Sequence, residues 1–554
     1  MRAHSPVIPA SFAHLLRRLL PALCALLLLP ACSKSSAPAE GGAPGATAPA
    51  GKKILLVGNG AEPQDLDPQI VTGVPEHHII MSLVEGLVTE HPSGVGVSPG
   101  SAERWETSAD GLTWTFHLRA DAKWSNGDPV TARDFVRSYE RFLSPAIAGQ
   151  YAYFLFHVVG AEEFNKGELK DFSQTGFSAP DDRTLVIRLK APVPFLLESM
   201  KHYAWFPVHI PTIEKFGGLA RPGSLWTRPG NFVGNGPFVL AEWKPNQHIL
   251  VTKSPTYWNS AATKLDGLKF LPVDNAETEE RMFRTGQLHV TNALPLPKIP
   301  VYRDQNPKEF RSDDYYSSSF IRVNTKRKPL DDVRVRRALA LALDRETYVK
   351  ILEGGQKPAY HFTPESPAYS PRARLSHNVE EARRLLAEAG YPDGKNFPPV
   401  EFLYVTSNTG KQLAEVFQQM WRTSLGINIA LRNEEWKVYL SSQESQNYAL
   451  CRAGWTGDYP DPHSFLDMWV TDGGNNLTGY SNPEYDRLLA SALSSPDETA
   501  RMEIYQQLDA FIVRDLPVIP VNFSKTIRAL SPKVLNWAPN LLDNRGWQYI
   551  DLAE

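Results

Sequence analysis

Arg452-Ala453-Gly454-Trp455-Thr456-Gly457-Asp458-Tyr459-Pro460-Asp461-Pro462 is the stretch on which a reading of this chain turns. Gly454, Gly457, Pro460 and Pro462 exclude an ordinary helix and predict a tight, preordered loop carrying one arginine, one tryptophan and one aspartate. Taken alone, each residue admits a plain structural role beside a functional one. Trp455 fits a core plug, Asp458 a turn or helix-cap acceptor, and Arg452 the partner of a buried acid. Two further aromatics read as loop positions, Trp436 in Asn433-Glu434-Glu435-Trp436-Lys437 and Tyr151 in Gln150-Tyr151-Ala152-Tyr153.

Outward from that stretch, the pattern alternates between strand and helix. Thr113 to Arg119 puts Trp114, Phe116 and Leu118 on one face, and Thr184 to Lys190 does the same with Leu185, Ile187 and Leu189, so both predict half-buried strands. Val333 to Lys350 reads as one helical segment with an Ala/Leu-rich face and arginines at its start. Glu380 to Ala389 reads as a helix ended by Gly390. The class is mixed α/β. The 45 prolines and 37 glycines are dispersed, which predicts long ordered loops, and no repeat of fixed period is present.

At the amino end, Arg2, Arg17 and Arg18 precede an apolar run from Leu19 to Leu29, with no acidic residue before position 32. This is the layout of a signal peptide, and the run is too short for the roughly 20 residues that a membrane span requires. Leu29-Pro30-Ala31-Cys32 is similar to a bacterial lipobox, so residues 1–31 are expected to be removed and Cys32 to carry the lipid that ties the protein to a membrane. The Ser, Ala, Gly and Pro of residues 32–53 then predict a flexible tether. About 500 residues follow, enough for two or three domains. Removing the three leader arginines takes the formal charge from −3 to −6. With no basic stripe, nucleic acid is excluded as the main partner. Cys451 is then the one cysteine left unmodified, so no internal disulfide forms.

Catalytic motifs are missing. Gly58-Asn59-Gly60 lacks the third glycine of a dinucleotide loop, and there is no Gly-Lys-Ser/Thr ending, no Gly-x-Ser-x-Gly elbow and no His-Glu-x-x-His helix. His77 and His78 are adjacent, a poor geometry for one metal ion, and are expected at the surface. Asp65 and Asp67 sit in a Leu-Asp-Pro turn, where carboxylates bond nearby backbone amides. Paired carboxylates far apart in sequence would still allow an exported hydrolase.

The Arg452 to Tyr459 segment, with others in the same order, resembles the family 5 extracellular solute-binding proteins of peptide transporters. The shared markers include Gly73-Val74-Pro75-Glu76, Glu85-Gly86-Leu87, Trp124-Ser125-Asn126-Gly127, Val130 to Asp134, Asn235-Gly236-Pro237, Ser254 to Asn259, Asp332 to Arg336 and Leu386 to Tyr391. The resemblance covers nearly everything after the tether. It implies a two-lobed periplasmic-binding-protein architecture (type II, the Venus-flytrap kind) with an extra domain on the first lobe. The implied division is 54–84, 208–316 and 526–554 for lobe I, 85–207 for the extra domain and 317–525 for lobe II. It implies an extended peptide enclosed between the lobes, its main chain bonded like an added strand and its side chains in hydrated pockets.

Carried over by position, the resemblance makes Asp458 the partner of the ligand's α-ammonium group and Arg452 a partner for the carboxylate of a short peptide. Trp455, Trp436 and Tyr151 become pocket-lining aromatics, and Gly73 and Val74 the loop that offers backbone groups. There is no catalytic residue, metal ligand or cofactor. The implied partners are short peptides and the permease subunits of an ABC transporter, for a lipid-anchored monomer on the periplasmic side of a bacterial membrane or the outer cell surface. The chain departs from the family at Glu353 and Gly410, where a lysine and a histidine would reach longer peptides, and at Gln443, in place of a pocket arginine. Ser317 and Thr456 stand where a relative has two cysteines. These departures suggest a bias to short ligands. A murein tripeptide, an oligosaccharide or a chelated metal are the other solutes such a fold would take.

Overall fold

The computed structural model describes residues 51–366, 369–493, 495 and 497–553. The leader, Cys32 and most of the tether lie outside the described residues. Three main sheets organise the rest. The first has four strands in the order Ile54–Gly58, Gly267–Leu271, His248–Lys253 and Phe238–Lys244, parallel in its first pair and antiparallel in the others. The second is antiparallel throughout, in the order Ala102–Thr107, Thr113–Leu118, Thr184–Arg188 and Phe177–Asp181. Both strands expected from alternation are in it, with Phe116, Leu118, Leu185 and Ile187 buried.

The third sheet has six strands, ordered Lys357–Pro358, Val518–Ala529, Phe310–Val323, Leu450–Thr456, Val400–Val405 and Ile429–Glu434. Its two longest strands pair with each other over most of their length but serve two cores. Ile321, Val323, Ile519 and Val521 pack into the core around this sheet, whereas Ile527 and Ala529 pack with Ile54, Leu56 and Leu271 of the first. Between those ends the register shifts, from Asp314 opposite Lys525 to Ser318 opposite Phe523, so three residues on one strand face one on the other. A break of this kind bends a strand pair and relaxes its ladder. Tyr316 in the break and Phe320 just after it pack into a third core that takes in residues of all three sheets, among them Leu55, Phe116 and Trp455.

Two sequence expectations are corrected. The segment from Val333 to Lys350 is two helices, Val333–Leu341 and Arg345–Leu352, because Asp344 leaves the helix and caps the second one by accepting from the Thr347 amide at 3.0 Å. The loop expected from Arg452 onward begins only after Thr456. Its first five residues close the Leu450–Thr456 strand, where pairing with Phe310–Val323 overrides the weak strand preference of Gly454. Likewise Trp436 opens the helix Trp436–Glu444, and Tyr151 lies in the 3₁₀ turn Gln150–Leu155.

The helix Ala132–Leu143 starts in a capping box between Thr131 and Asp134 and carries Arg141 inward. Arg141 donates to both carboxylate oxygens of Asp67, at 3.2 and 2.6 Å, with the two side chains 2% and 3% exposed. Asp67 in turn accepts from the Gln69 amide at 3.0 Å, the turn role read from sequence. This pair fixes the segment that leads to Gly73. Removing one partner of a buried pair costs about 3–5 kcal/mol. Arg141→Ala should lower the unfolding free energy in urea by that amount, and a loss below about 1 kcal/mol would count against the pair as an anchor.

Candidate functional site

A cavity of about 390 Å³ is walled by Thr72, Gly73, Val74, His77, His78, Gln150, Tyr151, His202, Tyr203 and residues 542–544 on one side. On the other are Arg322, the Trp436–Glu444 helix and residues 453–458. Gly73, Val74, Tyr151, Trp436, Trp455 and Asp458 all line this cavity, from its two sides. Gly73 caps the helix Val74–Leu83, and a Cβ there would stand 2.0 Å from the Glu76 carboxylate and 3.2 Å from the Trp436 ring. Only glycine lets the two sides approach so closely. Trp455 combines both readings of its sequence: its indole donates to the Ser464 carbonyl at 2.8 Å in the core, while its ring faces the cavity.

Asp458 is the chemical centre. Gly457 precedes it against Tyr316 and Phe465, with no room for a Cβ, and the Asp458 amide donates to Ser464 Oγ at 2.7 Å. The carboxyl is 7% exposed and accepts a hydrogen bond from the Tyr153 hydroxyl at 2.9 Å. Burial pushes its pKa from 3.8 up to about 8, helped by the nearby Asp467 carboxylate, while the Tyr153 and Ser464 hydroxyls pull the other way. The nearest basic group is His202, whose Nε2 lies 3.9 Å away. Its Nδ1 accepts from the Ala204 amide, and burial holds it well below the usual imidazole range, so it is neutral. No lysine or arginine among the described residues is paired with Asp458. Burial thus favours the protonated form of this acid in the ligand-free pocket.

Arg452 is placed apart from the other candidates. It lines an adjoining cavity of about 280 Å³ that shares Val74, His78, Tyr315 and Asp543 with the first. In the register Arg452 stands opposite Ile321, whereas Arg322 stands opposite Cys451, so the two arginines project from opposite faces of the strand pair. Arg528 and Lys525 share the second cavity's wall with Arg452. Leu352 and Thr409 also line it, and the next residues, Glu353 and Gly410, bring no cation to it. Ser317 and Thr456 face each other directly in the register.

Several wall residues escaped the sequence reading. His77 and His78, expected at the surface, line the cavity because their helix lies against residues 542–544. His77 bonds Asn544 Oδ1 at 2.8 Å, and burial lowers the pKa of the two rings to about 4 and about 3. Asp543 is held between Arg528 and Arg545, which bring its pKa down to about 2. Among the described residues, no group of three His, Cys, Asp or Glu side chains is placed to hold a metal ion. Tyr153 carried a signal in its Tyr-x-Tyr spacing. His202 carried none.

Two α/β bodies joined by crossing strands, with a cavity walled from both, define a ligand-binding protein of the two-lobed, type II periplasmic-binding class. The profile of the bacterial extracellular solute-binding proteins, family 5 (middle region), matches residues 96–476. The periplasmic oligopeptide-binding protein OppA of Escherichia coli (strain K12) is 37% identical over 497 residues, 87% of this chain and 89% of that protein. The Haemophilus influenzae OppA complex with RPPGFSPFR superposes with a TM-score of 0.85 at 34% identity, over 91% of this chain and 99% of that one. The Escherichia coli murein tripeptide-binding protein MppA gives 0.87 at 31% identity, over 91% and 99%. The unliganded open form of MppA gives only 0.63 at 32% identity, over 91% and 98%. This chain belongs to the family 5 extracellular solute-binding proteins, and its lobes are set unlike those of that open form.

Since the Tyr153 hydroxyl favours the ionised acid, Tyr153→Phe should raise the Asp458 midpoint above about 8 in the ligand-free protein. Carboxyl-carbon NMR titration checks this, and an unmoved or lowered midpoint would contradict the geometry.

Proposed function

We propose that this protein captures short peptides in the cleft between its lobes and delivers them to the permease subunits of an ABC importer, acting as a carrier and not as an enzyme. The observation that carries the proposal is the unpaired, desolvated carboxyl of Asp458. An α-ammonium group supplies the missing cation, and the basic wall of the adjoining cavity gives the peptide's carboxylate a destination at Arg452. Such a cleft is polarised to match a zwitterion. Trp455, Trp436 and Tyr151 would pack against side chains, and Gly73 and Val74 would present backbone groups to an extended ligand. Membership of a solute-binding family and similarity to a peptide-complexed OppA support the same reading.

In this proposal lobe I comprises 54–84, 208–316 and 526–554, and lobe II comprises 317–525. The hinge falls at the register break between Asp314 and Ser318. Residues 85–207, which include the antiparallel four-stranded sheet, form the extra domain. Peptide closes the lobes and selects the state the permease recognises. A lipid on Cys32 would hold the monomer at the periplasmic side of a membrane, or at the outer cell surface, without a span. No helix among the described residues is long and apolar enough to cross a membrane.

Asp458→Ala should weaken binding of a tripeptide by the 2–5 kcal/mol that truncating a buried, bonded charge pair costs, roughly 30-fold to several thousandfold in Kd. Unchanged affinity by calorimetry would refute the assignment. The pH dependence has a definite sign. Below about 8 the free protein holds a proton on Asp458, and an incoming ammonium expels it, so affinity rises with pH and about one proton leaves per peptide. Above about 8 the α-amino group itself deprotonates, and affinity falls. Calorimetry in buffers of different ionisation enthalpy measures the released proton, and a pH-independent Kd with no release would contradict the pairing. Mass spectrometry of ligand carried through purification separates peptides from murein fragments, sugars or metal chelates, and turnover of a bound peptide would favour a hydrolase.

A further inference from the structure

Arg322 is a buried cation that the account so far leaves without a partner. It lies on the Phe310–Val323 strand opposite Cys451 and is 5% exposed, yet it lines the same cavity as Asp458. Its Nε and Nη1 are buried and have no hydrogen-bond partner, and no carboxylate among the described residues is within ion-pair distance. What surrounds it is neutral. Tyr439 and Tyr448 are phenols, and burial pushes the Cys451 thiol up to about 12, so no thiolate compensates the guanidinium.

The other carboxylates on this wall are committed or remote. Asp543 is bound by two arginines. Glu444 is solvent-exposed and accepts from the Gln150 amide at 2.8 Å. Asp458 is closed in by Tyr153. An unpaired charge this deeply buried is costly, and the cost is recovered when an anion enters. The guanidinium fork suits a carboxylate, which it can grip at both oxygens. Gln443, also buried on this wall, adds an amide without a competing charge.

We propose that Arg322 binds a carboxylate of the captured peptide and makes this cleft selective for acidic ligands. The inference rests on the peptide-capture reading and adds to it a charge preference. The carboxylate has two possible sources, an aspartate or glutamate side chain and the carboxyl terminus of a very short peptide, with the same chemistry at Arg322.

The test is calorimetry of the full chain with alanine tripeptides carrying glutamate or glutamine at each position in turn, each with a free or an amidated carboxyl end. The wild type should prefer the acidic form of at least one such pair by roughly tenfold or more, the worth of a hydrogen-bonded charge. Arg322→Gln should erase that preference, and Arg322→Lys should restore part of it. If the lost preference is glutamate over glutamine, the side chain is the source. If it is free over amidated, the terminus is. Equal wild-type affinities within every pair, or a preference that survives in Arg322→Gln, would overturn this inference while leaving peptide capture standing. Failure of the wild type to bind any of the peptides would overturn the capture reading and the inference with it.

Discussion

A carboxyl shut away from water with no cation beside it is unstable in its charged form, and the chemistry of this cleft follows from that constraint. Asp458 can stay protonated, or it can ionise against a positive group brought in from outside. The protein restricts it to these choices by the surrounding packing: Gly457 lets Tyr316 and Phe465 close over the preceding backbone, Ser464 fixes the amide, and Tyr153 supplies a single hydroxyl. A neutral His202 completes the wall without pairing the charge. In the proposed reading, affinity for an ammonium group is built in as this unsatisfied interaction.

The fold explains how such a site can be both sealed and accessible. Two of its lining residues, Tyr315 and Ser317, lie where the longest strand pair loses register. A break of this kind is where a strand pair bends most readily. Gly73 leaves no room for a side chain between Glu76 and the Trp436 ring across the cavity. Superposition on MppA but poorly on its open form fits a cleft in its shut arrangement.

How much of this was legible in the sequence depends on the range of the interaction. Alternation found the Thr113–Leu118 and Thr184–Arg188 strands because their inward residues are neighbours at period two. The same logic missed the strand carrying Trp455, since Gly454 and Gly457 look like loop signals until the partner strand is known. Asp458, Trp455, Trp436 and Tyr151 stood out in the sequence itself, Gly73 and Val74 came from the family resemblance, and all six line one cavity. Arg452 came from the same resemblance but projects from the other face of the sheet, into the adjoining cavity. His77 and His78 read as surface residues because nothing local announces that residues 542–544 pack against them. Arg322 had a faint mark, a lone charge in the run Ser317 to Val323, but its missing partner is a fact of three dimensions.

The central claim is that Asp458 is completed by a positive amino terminus. Its most direct test changes the ligand and leaves the protein intact: calorimetry of one tripeptide against the same tripeptide acetylated at its amino end. The account predicts that acetylation, which removes the charge and leaves the buried acid unpaired, abolishes measurable binding or weakens it at least roughly 30-fold. Equal affinity for the two would contradict it.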